Sequence, residues 1–478
     1  MAESQANKTV KGFTKKQCNL ITLGSVILMF FIAASGMSLG FIQGPMLAQI
    51  NADDMFSLIT TIATVALCIM TPIGGRLVDI YGVRKVILYG GALCLVSNLV
   101  LPFVTNKFLF LIVRFLMAFG MGSFVTAPYL MAPMVNEPKD VPKVMGYLTI
   151  ALAVGSLAGS YFSNILAAGN MLTIGVLWPA IFLLLSLALC LPYLPKQPKS
   201  ETIKLDMKGV ILLSLTLIFI CIPLTFAPQM GFGNPMILGG LALGIICLVL
   251  FILAEKKAES PLMPLSLFTN KEYTMLLIIT FLSVFYMTAM NSYLPQAMRQ
   301  ITHTEESVIG IFQLPRTIVQ LILPSFIGIW LAKGVAKRTA ISLSIAGICI
   351  GVCFTFLIWF GVHMPVWFVI LCITLTGIAD SFRAVSTTPA AQQLLKPADI
   401  GIGTSLVGFA ISLSNVISAC VDGFAWDSLR LAHEGIGGLT EGADTIFLIA
   451  AVTGYLSFIL AFFVYRVMVN KRNKAAEK

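Results

Sequence analysis

Long apolar runs, separated by short polar connections, fill almost the whole of this 478-residue chain. A run of about 20 apolar residues is long enough to cross the hydrocarbon core of a bilayer as one helix. The pattern predicts fourteen such spans, at residues 20–43, 56–73, 86–104, 107–132, 144–167, 171–193, 209–228, 236–254, 274–295, 307–331, 339–361, 366–390, 400–424 and 444–466. We therefore predict an all-α, polytopic protein of the lipid bilayer, and the even number of spans places both termini on one side.

The basic residues identify that side. Of the 31 Lys and Arg residues, Lys107, Arg299 and Arg430 fall opposite the termini, three more lie within spans, and the other 25 share the side of the termini. Because basic loops are retained on the cytoplasmic side, both termini are predicted to be cytoplasmic, in a plasma (inner) membrane. This one-sided distribution explains the net charge of +10 without a nucleic-acid partner.

Composition argues against several kinds of chemistry. Charged residues make up only 11% of the chain, whereas 58% are hydrophobic, and nine of the ten cysteines fall inside apolar spans as small packing residues. The three histidines fall in predicted outer loops without the spacing of metal ligands. The sequence also lacks a phosphate-binding glycine loop and a nucleophile–base arrangement. We therefore predict no enzyme activity, no catalytic residues, no bound metal and no cofactor.

Two connections that are longer than the others divide the spans into groups. Residues 194–208 follow the sixth span, and residues 255–273 precede the last six. We predict a six-helix bundle at 1–193, a linker with an inserted helix pair at 194–273, and a second six-helix bundle at 274–478. A weak internal repeat supports this plan, because the basic turn that begins at Gly75 recurs at Gly328, after the second span of the second bundle.

A short basic connection joins the second and third spans and carries Gly75, Asp79, Gly82, Arg84 and Lys85. Its charge predicts a cytoplasmic hairpin, and its glycines allow the two helix ends to approach closely. These five residues resemble the motif that follows the second helix in the major facilitator superfamily. The resemblance implies a gating hairpin, in which Asp79 holds the cytoplasmic side closed through charge contacts.

Two positions in the hairpin depart from the family pattern. Ile80 stands where a basic residue is usual, and Val83 moves the basic pair one place along the chain.

The resemblance extends over the whole chain. The stretches Trp178–Phe182, Leu205–Gly209 and Glu255–Leu262 are similar to those of the fourteen-helix drug:proton antiporter family. This resemblance implies the major facilitator fold with 14 transmembrane helices arranged as 6 + 2 + 6, working as a monomer driven by a proton gradient. Two family features are missing, because Gly36 replaces an aspartate in the first span and Ser160 replaces a proline in the fifth.

Arginines inside spans are the first candidates for a substrate or proton pathway, since charge within a bilayer is costly. Arg114 in the fourth span, with Gly120 and Gly122, matches a family pattern whose arginine is associated with proton coupling. Arg316 follows Pro315 near the middle of the tenth span, where interrupted helices usually line a site. The alternative for each arginine is a structural role, Arg114 bonded to backbone carbonyls of a neighbouring helix and Arg316 as a polar clamp between helices, and for Arg316 the pattern favours the cavity role.

The twelfth span carries an acid and a base three residues apart. Asp380 and Arg383 share one helix face, so they form either a self-neutralised structural pair or a coupling pair. Asp380 is the only acid that the pattern places well inside a span, whereas Asp422 and Asp427 are predicted to be interfacial at the outer end of the thirteenth. Four amide side chains complete the candidate pathway, Asn291, Gln313, Gln320 and Asn415.

These expectations give one leading function and two alternatives. The family resemblance implies a secondary active transporter that exports drug-like or amphiphilic small molecules by alternating access, coupled to protons. Three intramembrane arginines against one deep acid favour, as an alternative on the same fold, transport of an anionic metabolite or a lipid-like anion. A membrane receptor or scaffold that does not transport is the more distant alternative.

Overall fold

The computed structural model describes residues 13–136, 141–196, 206–258, 261, 263, 265–332, 334–359, 361, 363–396, 400–433 and 435–476. Within these ranges the elements are helices, without a β-strand, and fourteen of them are long and apolar enough to cross a membrane. The predicted all-α membrane class and the predicted number of spans are confirmed.

The first six spans are α1 (Lys15–Gln49), α2 (Phe56–Tyr81), α3 (Val83–Val100), α4 (Lys107–Phe124 and Ala127–Val135), α5 (Val141–Ala168) and α6 (Leu172–Leu177 and Ala180–Cys190). The next two are α7 (Met207–Met230) and α8 (Pro235–Lys257). The last six are α9 (Lys271–Val284, a π-helical turn at Ala289–Tyr293, and Leu294–Gln300), α10 (Glu306–Ile311 and Leu314–Ala332), α11 (Val335–Leu357), α12 (Val366–Gln393), α13 (Ile400–Ala432) and α14 (Ile436–Ile459, a π-helical segment at Leu460–Tyr465, and Arg466–Ala476).

The connection between α2 and α3 is tighter than the sequence predicts. α2 continues to Tyr81 and α3 begins at Val83, so the turn consists of Gly82 alone. Gly82 has a φ of 83°, which glycine adopts readily because it has no Cβ, and its N–H donates to the Val78 carbonyl at 2.8 Å. The predicted loop is therefore mostly the ends of two helices.

Two helices are interrupted next to prolines. α10 is broken at residues 312–313, just before Pro315, and α9 forms its π-helical turn just before Pro295. Proline has no N–H to donate to the carbonyl four residues earlier, so the helix ladder is broken at these points. Both interruptions leave polar backbone and side chains within a membrane-spanning helix.

The chain divides into two compact units, residues 1–205 and 206–478. Helices α7 and α8 fall within the second unit, where α7 packs along α13. The predicted division into 6 + 2 + 6 helices, with its inserted pair, stays a prediction. Each unit contains one basic turn of the predicted repeat, between α2 and α3 in the first and between α10 and α11 in the second.

Small residues bring α1 and α5 together in the first unit. A Cβ on Gly155 would lie 2.6 Å from the Phe30 carbonyl oxygen, and a Cβ on Gly159 would collide with the Ala34 carbonyl. Two glycines four residues apart thus provide the flat surface on which α1 rests, which is how helices approach closely in membranes.

Candidate functional site

A buried cluster of three charges lies between α10 and α12. The Asp380 carboxylate accepts from Arg316 Nη2 at 2.6 Å and from Arg383 Nη2 at 3.0 Å, one arginine on each oxygen. All three residues are at most 8% exposed. The sequence predicted the contact with Arg383, but the shorter contact comes from Arg316, 64 residues away along the chain.

Amide side chains extend the cluster toward α9. Gln320 Nε2 donates to the same Asp380 oxygen as Arg316, at 2.9 Å. Gln313 Oε1 accepts from Arg316 Nη1 at 3.3 Å, and Gln313 Nε2 donates to Asn291 Oδ1 at 3.3 Å. Six of the residues chosen from the sequence therefore form one continuous hydrogen-bonded network, drawn from three helices.

The interrupted helices account for where these amides lie. Gln313 occupies the break in α10, and Asn291 occupies the π-helical turn of α9. Such turns widen the helix by one residue and occur frequently at functional sites. The hydroxyl of Tyr286, a fully buried residue of α9, also faces Asp380 and Arg316. The sequence analysis missed Tyr286, because a tyrosine in an apolar span resembles any other core aromatic residue.

Gly377 is a second residue that the sequence analysis missed. A Cβ at this position would lie 2.6 Å from the Arg316 carbonyl oxygen. The absence of a side chain lets α12 approach α10 closely, one turn before Asp380. The sequence feature that could have identified Gly377 is its position three residues before Asp380, an acid within a predicted span.

The cluster has an excess of positive charge, because two arginines meet one carboxylate. The Nε atoms of Arg316 and Arg383 are buried without a hydrogen-bond partner. A buried ion pair is stable only while its partners stay together, and an unpaired buried charge is strongly unfavourable. The arrangement can therefore respond to an added anion or proton by exchanging partners.

Arg114 and Asn415 are not part of this network. Arg114 is in α4 of the first unit, beside Cys94 of α3, and within the described residues it forms no salt bridge. Its Nε atom is buried without a hydrogen-bond partner. The Asn415 carbonyl in α13 accepts from the Thr288 hydroxyl at 3.3 Å.

The glycines that accompany Arg114 in the sequence pattern have a packing role. A Cβ on Gly120 would lie 2.8 Å from the Cys94 nitrogen, and a Cβ on Gly122 would lie 2.8 Å from the Met70 Cβ. They allow α4 to pack tightly on α3 and α2.

Arg84 ties the predicted gating hairpin to its own unit. Arg84 Nη1 donates to the Leu194 carbonyl at 3.0 Å, whereas Lys85 is exposed. Gly75 has open space where a Cβ would be. The side chain of Asp79 lies outside the described residues. In the matching turn of the second unit, Arg338 donates to the Trp330 carbonyl.

A groove of about 760 Å³ opens in the first unit along α1 and α5, with Phe182 of α6 contributing to its lining. Its walls are mostly apolar, with the polar residues Asn19, Thr22, Asn136 and Tyr147 among them. Asn136 donates to the Thr22 hydroxyl at 3.0 Å. The groove combines a long apolar surface with a few hydrogen-bonding groups, which suits an amphiphilic molecule.

Among the described residues, no group of three or more His, Cys, Asp or Glu side chains is placed to hold a metal ion.

Known proteins resemble this chain in sequence. A family model described as Major Facilitator Superfamily matches residues 25–268 and 276–478. The multidrug transporter protein MdtP of Bacillus subtilis (strain 168) is 24% identical over 325 residues, which are 66% of this chain and 59% of MdtP. The multidrug efflux pump SdrM of Staphylococcus aureus (strain N315) is 22% identical over 419 residues, which are 85% of this chain and 90% of SdrM. The chain thus aligns with less than two thirds of the length of MdtP and with most of SdrM.

The fold also resembles solved structures. A POT family transporter in complex with 5-aminolevulinic acid superposes with a TM-score of 0.68 at 16% identity, covering 98% of this chain and 99% of that one. At this identity the likeness concerns the fold.

Proposed function

Because this chain belongs to the Major Facilitator Superfamily, we propose that it is a secondary transporter that carries small molecules across a membrane by alternating access. We further propose that it exports drug-like or amphiphilic compounds in exchange for protons. Relatives described as a multidrug transporter and a multidrug efflux pump support this class of substrate. The observation that carries the proposal is the buried Arg316–Asp380–Arg383 cluster, since charge within a bilayer is expensive and is characteristic of transport pathways.

Asp380 is proposed to couple the proton to the substrate. While both arginines hold its carboxylate, a proton has to compete with two positive charges. For an anionic substrate, an anionic group that draws Arg383 away removes one of them, and a proton can then neutralise the carboxylate. Anion and proton are then bound together with no change in the net charge of the site, which suits transport of both in the same direction. For the exchange of a cationic compound, the proton and the compound compete for the Asp380 carboxylate, so that only one of them is bound at a time.

The apolar groove along α1 and α5 is proposed to be a binding surface for amphiphilic compounds. Flexible and aromatic side chains adapt to molecules of different shape, which suits a transporter of varied amphiphiles. Leu23, Phe30, Ile150, Val154 and Phe182 supply such a surface.

The excess of arginine favours a second candidate, transport of an anionic metabolite or a lipid-like anion. Two arginines surround one acid in the cluster, and Arg114 is a third intramembrane cation. A cationic drug would meet repulsion here unless Asp380 were released, whereas an anion would meet attraction.

We propose that both termini and the Gly75–Lys85 hairpin are cytoplasmic, as the basic residues indicate. Single cysteines at Lys208 and Lys107, in an otherwise cysteine-free protein, test this orientation with an impermeant maleimide applied to intact cells. Labelling is expected at position 107 and not at position 208, and the reverse pattern would overturn the assignment.

Flux in proteoliposomes tests the function. Wild-type protein is expected to accumulate amphiphiles from a panel of cations and anions when a pH gradient is imposed. Per folded protein, Asp380→Asn is expected to lose gradient-driven accumulation while still exchanging substrate without a gradient. Asp54→Asn is the matched control, because Asp54 is an exposed acid paired with Lys107.

The same assay separates the candidates. Accumulation of anions alone, lost in Arg383→Gln, would support the anion transporter, and accumulation of cationic amphiphiles would support drug export. Normal gradient-driven accumulation by Asp380→Asn would refute the coupling role of Asp380.

A further inference from the structure

A second acid of the second unit is buried more completely than Asp380. Asp422 is 1% exposed, and its Oδ2 atom has no hydrogen-bond partner among the described residues. The sequence predicted an interfacial position, because the apolar pattern ended at residue 424. Instead, α13 continues to Ala432, so Asp422 lies ten residues, or about 15 Å at the helical rise, before the helix ends.

Among the residues that the structure describes, no cation pairs with Asp422. On its own helix, the Cys420 thiol is a neighbour, and Arg430 pairs with Asp427 at 3.5 Å. From α7, Cys221 meets Cys420. The same end of α13 is covered by two aromatic contacts, Phe424 with Phe232 at 5.3 Å and Trp426 with Tyr293 of α9 at 5.7 Å.

Charged groups on the other helices that pack against α13 lie in contacts of their own or at the surface. On α9, Arg299 pairs with Glu306 at 2.6 Å, Glu272 pairs with Arg472 at 2.8 Å, and Lys271 is exposed. On α12, Asp380 and Arg383 belong to the charge cluster. On α14, Glu441 contacts His433 at 2.6 Å, and Asp444 also makes an interaction of its own. An ionised carboxylate at position 422 would therefore be both desolvated and unneutralised.

We propose that Asp422 is a proton-binding site, protonated while the helices around it exclude water and able to release its proton when water reaches it. An unpaired carboxylate in an apolar interior is strongly unfavourable, whereas the neutral acid is tolerated. Trp426, one helical turn further along the same face of α13, packs on Tyr293 of α9, so the face that carries Asp422 is closed by packed aromatic side chains. This role rests on the proposed proton-coupled transport.

Asp380 and Asp422 take different roles because their surroundings differ. Asp380 is held by two arginines and responds to the charge of a substrate. Asp422 has no such partner and responds to water access. The transport cycle then exchanges one more proton than Asp380 alone accounts for.

Infrared spectroscopy of the full-length protein in lipid nanodiscs tests the protonated state without any transport. The wild type is expected to show a protonated-carboxyl C=O band at neutral pH. Asp422→Asn is expected to lose this band with no loss of heat stability, and Asp422→Glu to shift it. Asp427→Asn, on the same helix but paired with Arg430, is expected to keep it. A wild type without the band, or a band that persists in Asp422→Asn, would overturn the proposal.

Flux tests whether this proton is transported. With the membrane potential clamped to zero, each coupled proton multiplies the limiting accumulation by ten per pH unit of gradient, since each tenfold ratio corresponds to about 1.4 kcal/mol. Asp422→Asn is therefore expected to lower accumulation about tenfold at one pH unit, and Asp427→Asn to leave it unchanged. Equal accumulation by Asp422→Asn and wild type would overturn the proton-carrying role. If the wild type accumulates nothing, the proposed transport function fails instead, while the infrared band still reports on Asp422.

Discussion

The two compact units bury their polar groups in different ways. In the first unit, hydroxyls form a neutral contact: the Ser38 and Ser163 oxygens lie 2.5 Å apart, where one donates to the other, and the second hydroxyl donates to the Gly175 carbonyl. In the second unit, a carboxylate is held between Arg316 and Arg383. Neutral contacts hold helices together whatever their charge surroundings, whereas a charge cluster depends on every member. The serine contact thus joins helices without charge, whereas the arginine–aspartate cluster can respond to a change of charge.

The largest expected effect comes from removing the acid that both arginines share. Asp380→Asn should destabilise the protein by about 3–5 kcal/mol, because two buried guanidinium groups lose their counter-charge. Thermal unfolding in detergent measures the loss. Adding Arg383→Gln to Asp380→Asn should recover part of it, since one uncompensated charge is removed.

In the first unit, Asp54→Asn is the matched change. Its exposed contact with Lys107 should contribute only about 0–1 kcal/mol. Equal losses for Asp54→Asn and Asp380→Asn would remove the contrast between the units.

Replacing one glycine in each unit by alanine compares how tightly the helices pack in the two units. A Cβ on Gly155 and a Cβ on Gly377 would each lie 2.6 Å from a backbone carbonyl of a neighbouring helix. Each Gly→Ala change should therefore destabilise by about 1–3 kcal/mol through overpacking. Only Gly377→Ala should also alter gradient-driven transport, because the carbonyl that it displaces belongs to Arg316.

Gly146 in α5 and Gly408 in α13 are the controls for this pair, since a Cβ at either position meets nothing within 4 Å. Their alanine variants should unfold at or slightly above the wild-type temperature, because alanine favours helices by about 1 kcal/mol over glycine. Loss of transport in Gly155→Ala equal to that in Gly377→Ala would argue that the two units share the coupling role.

The two basic turns allow a smaller comparison. Arg84→Ala should lower the free energy of unfolding by about 0.5–1.5 kcal/mol, because it removes the hydrogen bond to the Leu194 carbonyl. Arg338→Ala should cost about 0.5–1 kcal/mol more, because Arg338 also lies over the Trp330 ring, 5.2 Å from its centroid. Unfolding midpoints measure both, and the exposed Lys85→Ala serves as the neutral control. A larger loss for Arg84→Ala would contradict the ranking.

The smallest effect is expected at Arg114. Arg114 forms no salt bridge within the described residues, so Arg114→Gln leaves no buried acid without its partner. The free energy of unfolding should therefore change by less than about 1 kcal/mol. Arg316→Gln, measured in parallel by unfolding midpoints, should cost several times more. Similar losses for both variants would indicate that Arg114 has an essential partner of its own.

Local patterns account for what could be predicted. The number of spans follows from the hydropathy of each segment, and the Asp380–Arg383 contact follows from a spacing of three residues on one helix. Helix ends were predicted less well. α13 extends eight residues beyond its apolar run, because buried polar residues such as Asp422 interrupt the hydropathy signal without ending the helix.

The sequence by itself determined that this protein crosses a bilayer fourteen times and carries charges within those crossings, because hydropathy and helical spacing are local properties. Only the tertiary structure decided which charges meet between helices. Arg316 reaches Asp380 because Gly377 lets α12 approach α10, whereas Asp422 is buried with no described cation paired to it. Contacts of this kind depend on how each helix is rotated and how closely it packs, and these follow from the fit of many side chains together.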